Sequence, residues 1–211
     1  MDTGKILKEA CVENLREAIR AEELGADRIE LCADLSVGGI TPDHETIKKA
    51  KSELSIPVMV MIRPRGGRFI YSDTELEAMK DSIDFCKKTR VHGIVFGFLS
   101  IDNQIDAATT LIMAEYASPM EITFHKAIDE TPDPEESVKA LLSIKGITRI
   151  LTSGGKTTAL EGSEKINRMI EIAGERIIIM AAGRITNENL AGISALIPGK
   201  EFHGRKIVGN L

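Results

Sequence analysis

Strand-like and helix-like segments alternate about eight times along this chain of 211 residues, and that regular alternation limits the possible folds more than any other feature. The strand candidates are short, apolar and rich in β-branched residues; they lie at residues 6–10, 28–31, 57–62, 93–98, 121–124, 149–151, 177–181 and 201–203. The composition does not shift along the chain, so we predict one α/β domain over residues 1–211. Eight strands alternating with helices is the count of a (β/α)₈ TIM barrel.

The helix-like stretches carry recognisable start signals. Asn14 and Ser72 are each followed three residues later by a glutamate, a pattern typical of a capped helix N-terminus. Asp133 precedes Pro134, and proline is favoured at the first helical position. Thr41, followed by a proline, is expected to open a further helix. These signals separate the strand candidates and support the alternating pattern.

Charged residues inside the strand candidates favour a closed barrel over an open sheet. Glu9, Glu30 and Arg63 lie in or at the end of strands, where a doubly wound, flavodoxin-like sheet, the alternative fold, rarely tolerates charge. The lumen of a barrel near its mouth can hold such groups. Only residues 204–211 follow the last strand candidate, too few for a full eighth helix. Apolar barrel exterior would then be covered by a partner chain, so we expect a homo-oligomer, either a dimer or a tetramer.

Charge and cysteine content exclude several classes of protein. The net charge is −5, which gives no basic surface for nucleic acid. The longest apolar stretch, around residues 177–182, is far too short to span a membrane, and the N-terminus does not resemble a signal peptide. The three cysteines make an odd count, which favours a reduced, cytoplasmic setting over a disulfide framework. No organic cofactor is predicted.

Two of the cysteines lie in the same local sequence pattern. Glu9 stands two residues before Cys11, and Glu30 stands two residues before Cys32. Residues two apart in a strand share a face, and the strands of a βαβ unit are usually neighbours, so two thiols and two carboxyls are expected to converge. Paired thiols favour soft metals such as Cu(I) and Zn(II). The alternative for each cysteine alone is a small buried hydrophobe, the role we assign to Cys86.

Further chemistry-bearing residues fall at strand ends, where TIM barrels place their active sites. They are carboxylates, an arginine and imidazoles that would line one mouth: Glu9, Glu30, Arg63, His125, Asp129, Glu201 and His203. For the two histidines a structural role is as plausible as a functional one, and Glu9 and Glu30 could instead pair with Arg63 inside the barrel. His44 and His92 are expected to be solvated.

Glycine-rich loops follow two strands. Ser153, Gly154 and Gly155 follow the sixth strand, and Gly183 follows the seventh. Backbone N–H groups of such loops can hold a phosphate, although tight turns also require glycine. Residues 63–68 hold three arginines and two glycines, a combination that suggests an anion clamp, with local salt bridges as the alternative.

Four segments together resemble the CutC copper homeostasis family: ADRIELC (26–32) with GGITP (38–42), VMIRPRGG (60–67), TFH (123–125) with Asp129, and LTSGG (151–155). The resemblance extends from Leu7 to His203. It implies a TIM barrel, a cytosolic location, and a copper homeostasis role tied in some members to Cu(I) binding by two cysteines, which correspond here to Cys11 and Cys32. Two features depart from the family: residues 181–184 lack a glycine run, and longer relatives continue well beyond His203.

Two functional hypotheses follow. In the first, the protein is a copper homeostasis protein that binds Cu(I) through Cys11 and Cys32. In the second, it is an enzyme that acts on a small anionic metabolite, such as a sugar or sugar phosphate. His125 or Glu30 would then be the general base, and Arg63 would bind the anion or stabilise negative charge. Either cysteine would be a bystander, or a nucleophile if its pKa is low.

Overall fold

The computed structural model describes residues 6–211 and forms a closed barrel of eight parallel strands that pair in chain order, β1 to β8. The strands are β1 (Leu7–Val12), β2 (Arg28–Leu31), β3 (Val58–Met61), β4 (Gly93–Phe96), β5 (Glu121–Phe124), β6 (Ile147–Thr152), β7 (Ile178–Ala181) and β8 (Glu201–Gly204). Pairing of β1 with β8 closes the barrel, with Glu9 opposite His203. The open-sheet alternative is therefore wrong.

Seven α-helices cover the outside of the barrel within residues 6–211: α1 (Leu15–Glu23), α2 (His44–Glu53), α3 (Asp73–Thr89), α4 (Ala107–Ala117), α5 (Pro134–Leu142), α6 (Ser163–Ala173) and α7 (Leu190–Leu196). Short 3₁₀ turns lie at Leu35–Val37 and Lys126–Glu130. Within the described residues no helix follows β8, in agreement with the sequence prediction. None of the helices described is both long and apolar enough to cross a membrane.

The helix N-termini use the caps that the sequence indicated, with one shift. Asn14 accepts a hydrogen bond from the Glu17 amide, and Ser72 forms a complete capping box with Glu75. Asp133 caps α5. The second helix, α2, begins at His44 and is capped by Asp43, two residues later than the threonine expected to open it. Asp43 satisfies the Thr46 amide, which explains why the helix starts there.

Alternation along the strands divides the core into two regions. One set of positions, including Ala10, Ile29, Val60 and Phe124, belongs to the large apolar cluster that packs against the helices. The alternate positions point into the lumen, and there the strands carry charged, thiol and thioether groups. Most of the charged, thiol and thioether side chains of the strands therefore lie in the lumen, where they are buried.

The first strand is longer than expected. It extends to Val12, so Cys11 lies inside β1, whereas Cys32 follows directly after β2. The register places Cys11 opposite Glu30, one pair from the end of the β1–β2 ladder. The expected convergence of the two Glu-x-Cys patterns is confirmed by this register, although Cys11 does not follow its strand.

A candidate metal and ligand site in the barrel lumen

A chain of buried ion pairs crosses the lower part of the lumen. Arg28 Nε lies 2.5 Å from Glu9 Oε2, and the same guanidinium bonds to Glu201. Arg149 Nε donates to Glu201 Oε2 at 2.8 Å and also pairs with Glu121 at the rim. The alternative in which Glu9 pairs with Arg63 is wrong, because Glu9 pairs with Arg28 and His203 while the guanidinium of Arg63 donates to backbone carbonyls.

These ion pairs fix the charge state of the layer. Burial alone would raise the pKa of Glu9, but Arg28 and then His203 more than offset that effect and lower the pKa to about 2. Burial opposes the charge of Arg28 as well, yet its two carboxylate partners raise its pKa. Glu9 and Arg28 are therefore both charged at neutral pH, and each satisfies the other in a place where a lone ion would be costly.

Above this layer, three side chains gather around one carboxylate oxygen of Glu30. Glu30 Oε2 lies 3.3 Å from Cys11 Sγ, 3.6 Å from Cys32 Sγ and 3.7 Å from His203 Nε2. His203 Nδ1 is 2.9 Å from Glu9 Oε1, which links the cluster to the ion pairs below. Cys11, Glu30 and Cys32 offer ligand atoms that all lie within 4.8 Å of one another. The other carboxylate oxygen, Glu30 Oε1, has no hydrogen-bond partner within residues 6–211.

The proximity of these groups shifts their proton affinities. Hydrogen bonding with Cys32 lowers the pKa of Cys11 to about 5, against the opposing effect of burial. The same contact, together with burial, raises the pKa of Cys32. Burial and then the charge of Cys11 raise the pKa of Glu30 well above its usual value. Burial would lower the pKa of His203, but Glu30, Cys11 and Glu9 raise it. Cys11 is thus the thiol that ionises first.

A cavity of about 160 Å³ opens beside this cluster. Cys11, Glu30 and His203 form part of its wall; the remainder is formed by apolar and basic side chains and one glycine: Leu35, Gly38, Met61, Arg63, Phe69, His125, Lys126 and Leu151. Cys32 is fully buried behind them. The cavity thus brings together Glu30, Arg63, His125 and His203, whereas Glu9, Asp129 and Glu201, expected at the same mouth, do not line it.

Arg63 uses its guanidinium to hold loops. Its Nη1 atom donates to the carbonyls of Val37 and Gly39, and its Nη2 atom donates to the carbonyl of Gly67 at 2.9 Å. The guanidinium also lies 4.8 Å from the centre of the Phe69 ring. Because backbone carbonyls engage both terminal nitrogens, Arg63 shapes the cavity wall, while its buried Nε–H group has no hydrogen-bond partner within residues 6–211.

His125 is held as a neutral donor. The Ala127 amide donates to His125 Nδ1 at 3.2 Å, which places the imidazole proton on Nε2. Burial and then the positive charge of Arg63 lower its pKa to about 3. Nε2 has no hydrogen-bond partner within residues 6–211. His125 therefore offers an N–H group at neutral pH and has little capacity to act as a base.

The glycine loop after β6 is filled by a side chain of the protein. Asp129 accepts hydrogen bonds from the Ser153 and Gly155 amides at 2.9 Å each, and from the Ser153 hydroxyl at 2.9 Å. Gly154 has φ +68°, and an added Cβ would lie 2.6 Å from the Gly162 carbonyl oxygen. Gly183 is equally confined, because a Cβ there would lie 2.9 Å from Ser153 Cβ. The carboxylate of Asp129 sits where a phosphate was expected.

The remaining candidates lie outside the lumen. Arg65 pairs with Glu75 at 2.5 Å, as the salt-bridge alternative predicted, and Arg68 donates to a backbone carbonyl. His44 and His92 are exposed, and Cys86 is buried in α3, all as expected. Sequence reasoning missed Arg28, although the alternation of Arg28, Glu30 and Cys32 on one face of β2 was available as a signal.

Comparison with known proteins gives the family. The model of the CutC family matches residues 6–208. The chain belongs to the CutC copper homeostasis family. Among CutC relatives, the human protein named copper homeostasis protein cutC homolog is 45% identical over 197 residues, covering 93% of this chain and 72% of the relative. The family protein CutC of Mesorhizobium japonicum is 40% identical over 202 residues, covering 96% of this chain and 78% of the relative.

Solved structures agree on the fold. The crystal structure of a CutC protein from Streptococcus agalactiae has a TM-score of 0.90 at 36% identity, covering 96% of this chain and 99% of that one. An aldolase, QR15, has a TM-score of 0.69 at 16% identity, covering 99% of this chain and 94% of that one. The first likeness supports the CutC assignment, and the second shows the shared barrel alone.

Proposed function

We propose that this CutC protein serves copper homeostasis by binding one Cu(I) ion through Cys11 and Cys32. The observation that carries the proposal is the position of both sulfur atoms within 3.6 Å of the same Glu30 oxygen, in a buried pocket. Thiolate is the ligand that Cu(I) prefers, and shielding from water protects both the ion and the thiols. A cytoplasmic location fits reduced cysteines and belongs to the same proposal.

The state of the two thiols supports the proposal. With a pKa of about 5, Cys11 is a thiolate at neutral pH, the form that binds metal. Cys11 is also the cysteine that borders the cavity, whereas Cys32 is fully buried. An arriving ion would therefore meet Cys11 first and then displace the proton of Cys32. Binding is expected to release about one proton from this second thiol.

The test is an anaerobic Cu(I) titration of the full chain against a competing chromophoric chelator. The wild type should bind one Cu(I) per chain, and both Cys11→Ala and Cys32→Ala should lose that binding. Cys86→Ala is the matched control, because Cys86 is a buried cysteine in α3 and should not affect copper. Copper affinity that survives in both lumen variants would refute the proposal.

A second candidate function is supported by the cavity itself. A Cu(I) carrier needs two thiols, yet the cavity of about 160 Å³ also presents the Nε2–H group of His125 and is lined by Lys126, whose ammonium lies 3.6 Å from Asp129 Oδ2. We propose a small anionic metabolite as the alternative occupant, with His125 as a hydrogen-bond donor and Glu30 as the remaining candidate base. Glu9, Glu201 and Asp129 would not contact the ligand. They would position the residues to which they are hydrogen-bonded: His203, Arg28 and Ser153, respectively.

This alternative is tested by ligand-induced stabilisation. Inorganic phosphate and simple sugar phosphates should raise the melting temperature of the metal-free wild type, by mass action, and should have a smaller effect on Lys126→Met. Equal shifts in the two proteins would count against a ligand in this cavity.

The homo-oligomer stays a prediction. Sedimentation of the full chain can measure its oligomeric state.

A further inference from the structure

Glu30 and the three side chains around its Oε2 atom make a larger donor set than Cu(I) requires. Two thiols alone satisfy a two-coordinate Cu(I) ion, whereas this cluster adds a carboxylate and an imidazole. We propose that Cys11, Cys32, Glu30 and His203 together form a four-ligand site for a divalent ion of the Zn(II) class. The inference uses the same thiols as the proposed function but assigns two further ligands and a second metal.

The distances around Glu30 match a tetrahedral zinc site. Zinc bonds of about 2.3 Å to sulfur and about 2.0 Å to oxygen or nitrogen, at tetrahedral angles, separate the ligand atoms by roughly 3.5 Å for sulfur–oxygen pairs and roughly 3.3 Å for nitrogen–oxygen pairs. The sulfur–oxygen distances to Glu30 are 3.3 Å and 3.6 Å. The distance from His203 Nε2 to Glu30 Oε2 is 3.7 Å. The ligand atoms of Cys11, Glu30 and Cys32 lie within 4.8 Å of one another, and Glu30 belongs to a second such group with Glu9 and His203, so one ion would have to draw His203 towards the thiols to take all four ligands.

The donor types point to zinc as well. Tetrahedral Zn(II) accepts thiolate, imidazole and carboxylate ligands, so it suits a set of two sulfurs, one nitrogen and one oxygen. Cu(I) gains little from a carboxylate, because it is a soft ion. Hard ions such as Mg²⁺ prefer oxygen ligands and do not suit two thiols. The cluster therefore discriminates among metals by composition.

The surroundings of His203 are those of a metal-binding imidazole. Its Nδ1 atom bonds to Glu9 Oε1 at 2.9 Å, which leaves Nε2 facing Glu30. Glu9 is held in turn by Arg28 at 2.5 Å. A carboxylate that fixes the far nitrogen of a histidine is the usual support for a zinc ligand, because it sets the ring orientation.

Burial and access complete the argument. Glu30 Oε1 is buried and has no hydrogen-bond partner within residues 6–211, an arrangement that costs free energy unless a bound ion or ligand satisfies the carboxylate. Cys11, Glu30 and His203 border the cavity, which gives an ion a route to three of its four ligands. All four ligands come from the chain itself, so the bound zinc would have no open position for catalysis.

The experiment compares metals on one set of variants. Metal-free wild type, prepared anaerobically, is titrated with Zn(II) against a chromophoric chelator, and separately with Co(II). We expect one zinc per chain. Cobalt should give the intense visible bands of a four-coordinate ion and ultraviolet thiolate-to-cobalt bands. Glu30→Gln and His203→Gln should each weaken zinc binding at least tenfold and reduce the visible cobalt bands.

A supporting-residue variant and two controls sharpen the result. Glu9→Gln keeps all four ligands but loosens His203, so zinc affinity should fall on the order of 10- to 100-fold. Cys86→Ala and His44→Gln replace a cysteine and a histidine outside the cluster and should bind zinc as the wild type does. Circular dichroism confirms that each variant is folded before its affinity is compared.

Cu(I) titration of the same variants separates this inference from the proposed function. Copper affinity should survive Glu30→Gln and His203→Gln, because only the thiols hold Cu(I). Unchanged zinc affinity in both variants, or no zinc binding by the wild type, overturns the four-ligand site even when Cu(I) binds. Zinc binding that depends on all four residues, in a protein that does not bind Cu(I), refutes the copper proposal and leaves this inference standing.

Discussion

The buried, neutral state of His125 gives a prediction whose size can be worked from the structure. His125 is 4% exposed, and burial together with Arg63 lowers its pKa from 6.5 to about 3. Below pH 6.5 the unfolded chain takes up a proton on this imidazole that the folded chain refuses. The contribution of His125 to stability is therefore fully present above pH 6.5 and is lost as the pH falls towards 3.

The perturbation is His125→Gln, which removes the titrating group and keeps an N–H donor near the Nε2 position. With 1.36 kcal/mol per pKa unit, the free energy of unfolding of the wild type minus that of the variant should fall by about 2 kcal/mol between pH 7 and pH 5. The substitution also has a constant cost, but only the change with pH bears on the prediction. Every other titrating group cancels in the difference.

The assay is urea unfolding of both proteins at pH 7, 6 and 5, followed by circular dichroism, in the presence of a metal chelator. His125→Asn provides a second variant, since its side-chain oxygen can accept the Ala127 amide in place of Nδ1. A stability difference that stays constant across this pH range for both variants would show that His125 has the same pKa in the folded and unfolded protein, and the lowered pKa would be refuted.

Three further predictions concern stability and can be measured by urea unfolding at pH 7. Arg28→Met leaves the Glu9 carboxylate buried without its guanidinium, so we expect a loss of about 3–5 kcal/mol, whereas the exposed Arg16→Met should change little. Ser72→Ala removes the capping box of α3 and should cost about 1 kcal/mol; no loss would contradict its role. Gly154→Ala places a Cβ 2.6 Å from a carbonyl oxygen at φ +68°, and we expect the free energy of unfolding to fall by about 1–3 kcal/mol. The control is Gly192→Ala, because an added Cβ at Gly192 has no atom within 4 Å.

The fold and part of the site could be predicted because they depend on periodicity. Strand alternation and βαβ adjacency are local rules, so the convergence of Cys11, Cys32 and Glu30 follows from spacing alone. Arg28 obeys the same rule, but it lies two residues before Glu30 and so falls outside the Glu-x-Cys pattern. Its role as the central cation of the lumen follows from its position opposite Glu9 on the next strand.

The errors concern partners, which periodicity does not specify. Arg63 follows the C-terminal end of β3, and its guanidinium donates hydrogen bonds to the carbonyls of two loops instead of pairing with a carboxylate in the lumen. Asp129 reaches the amides after β6 because a 3₁₀ turn carries it there, and no spacing rule in the sequence indicates that turn. Both contacts depend on loop conformation across strands, which residue identity and strand register leave open.

The lumen has two layers that share one strand alternation but differ in their charge balance. In the lower layer, Glu9 and Glu201 are matched by Arg28 and Arg149, and each ion has a counter-ion at hydrogen-bond distance. In the upper layer, Glu30 faces two thiols and one imidazole and keeps an unpartnered oxygen. A buried carboxylate without full pairing costs free energy. A protein selected for stability alone would therefore have given Glu30 a counter-ion, as it did for the carboxylates of the lower layer. The difference between the layers therefore supports a ligand-binding role for the upper layer and a structural role for the lower one.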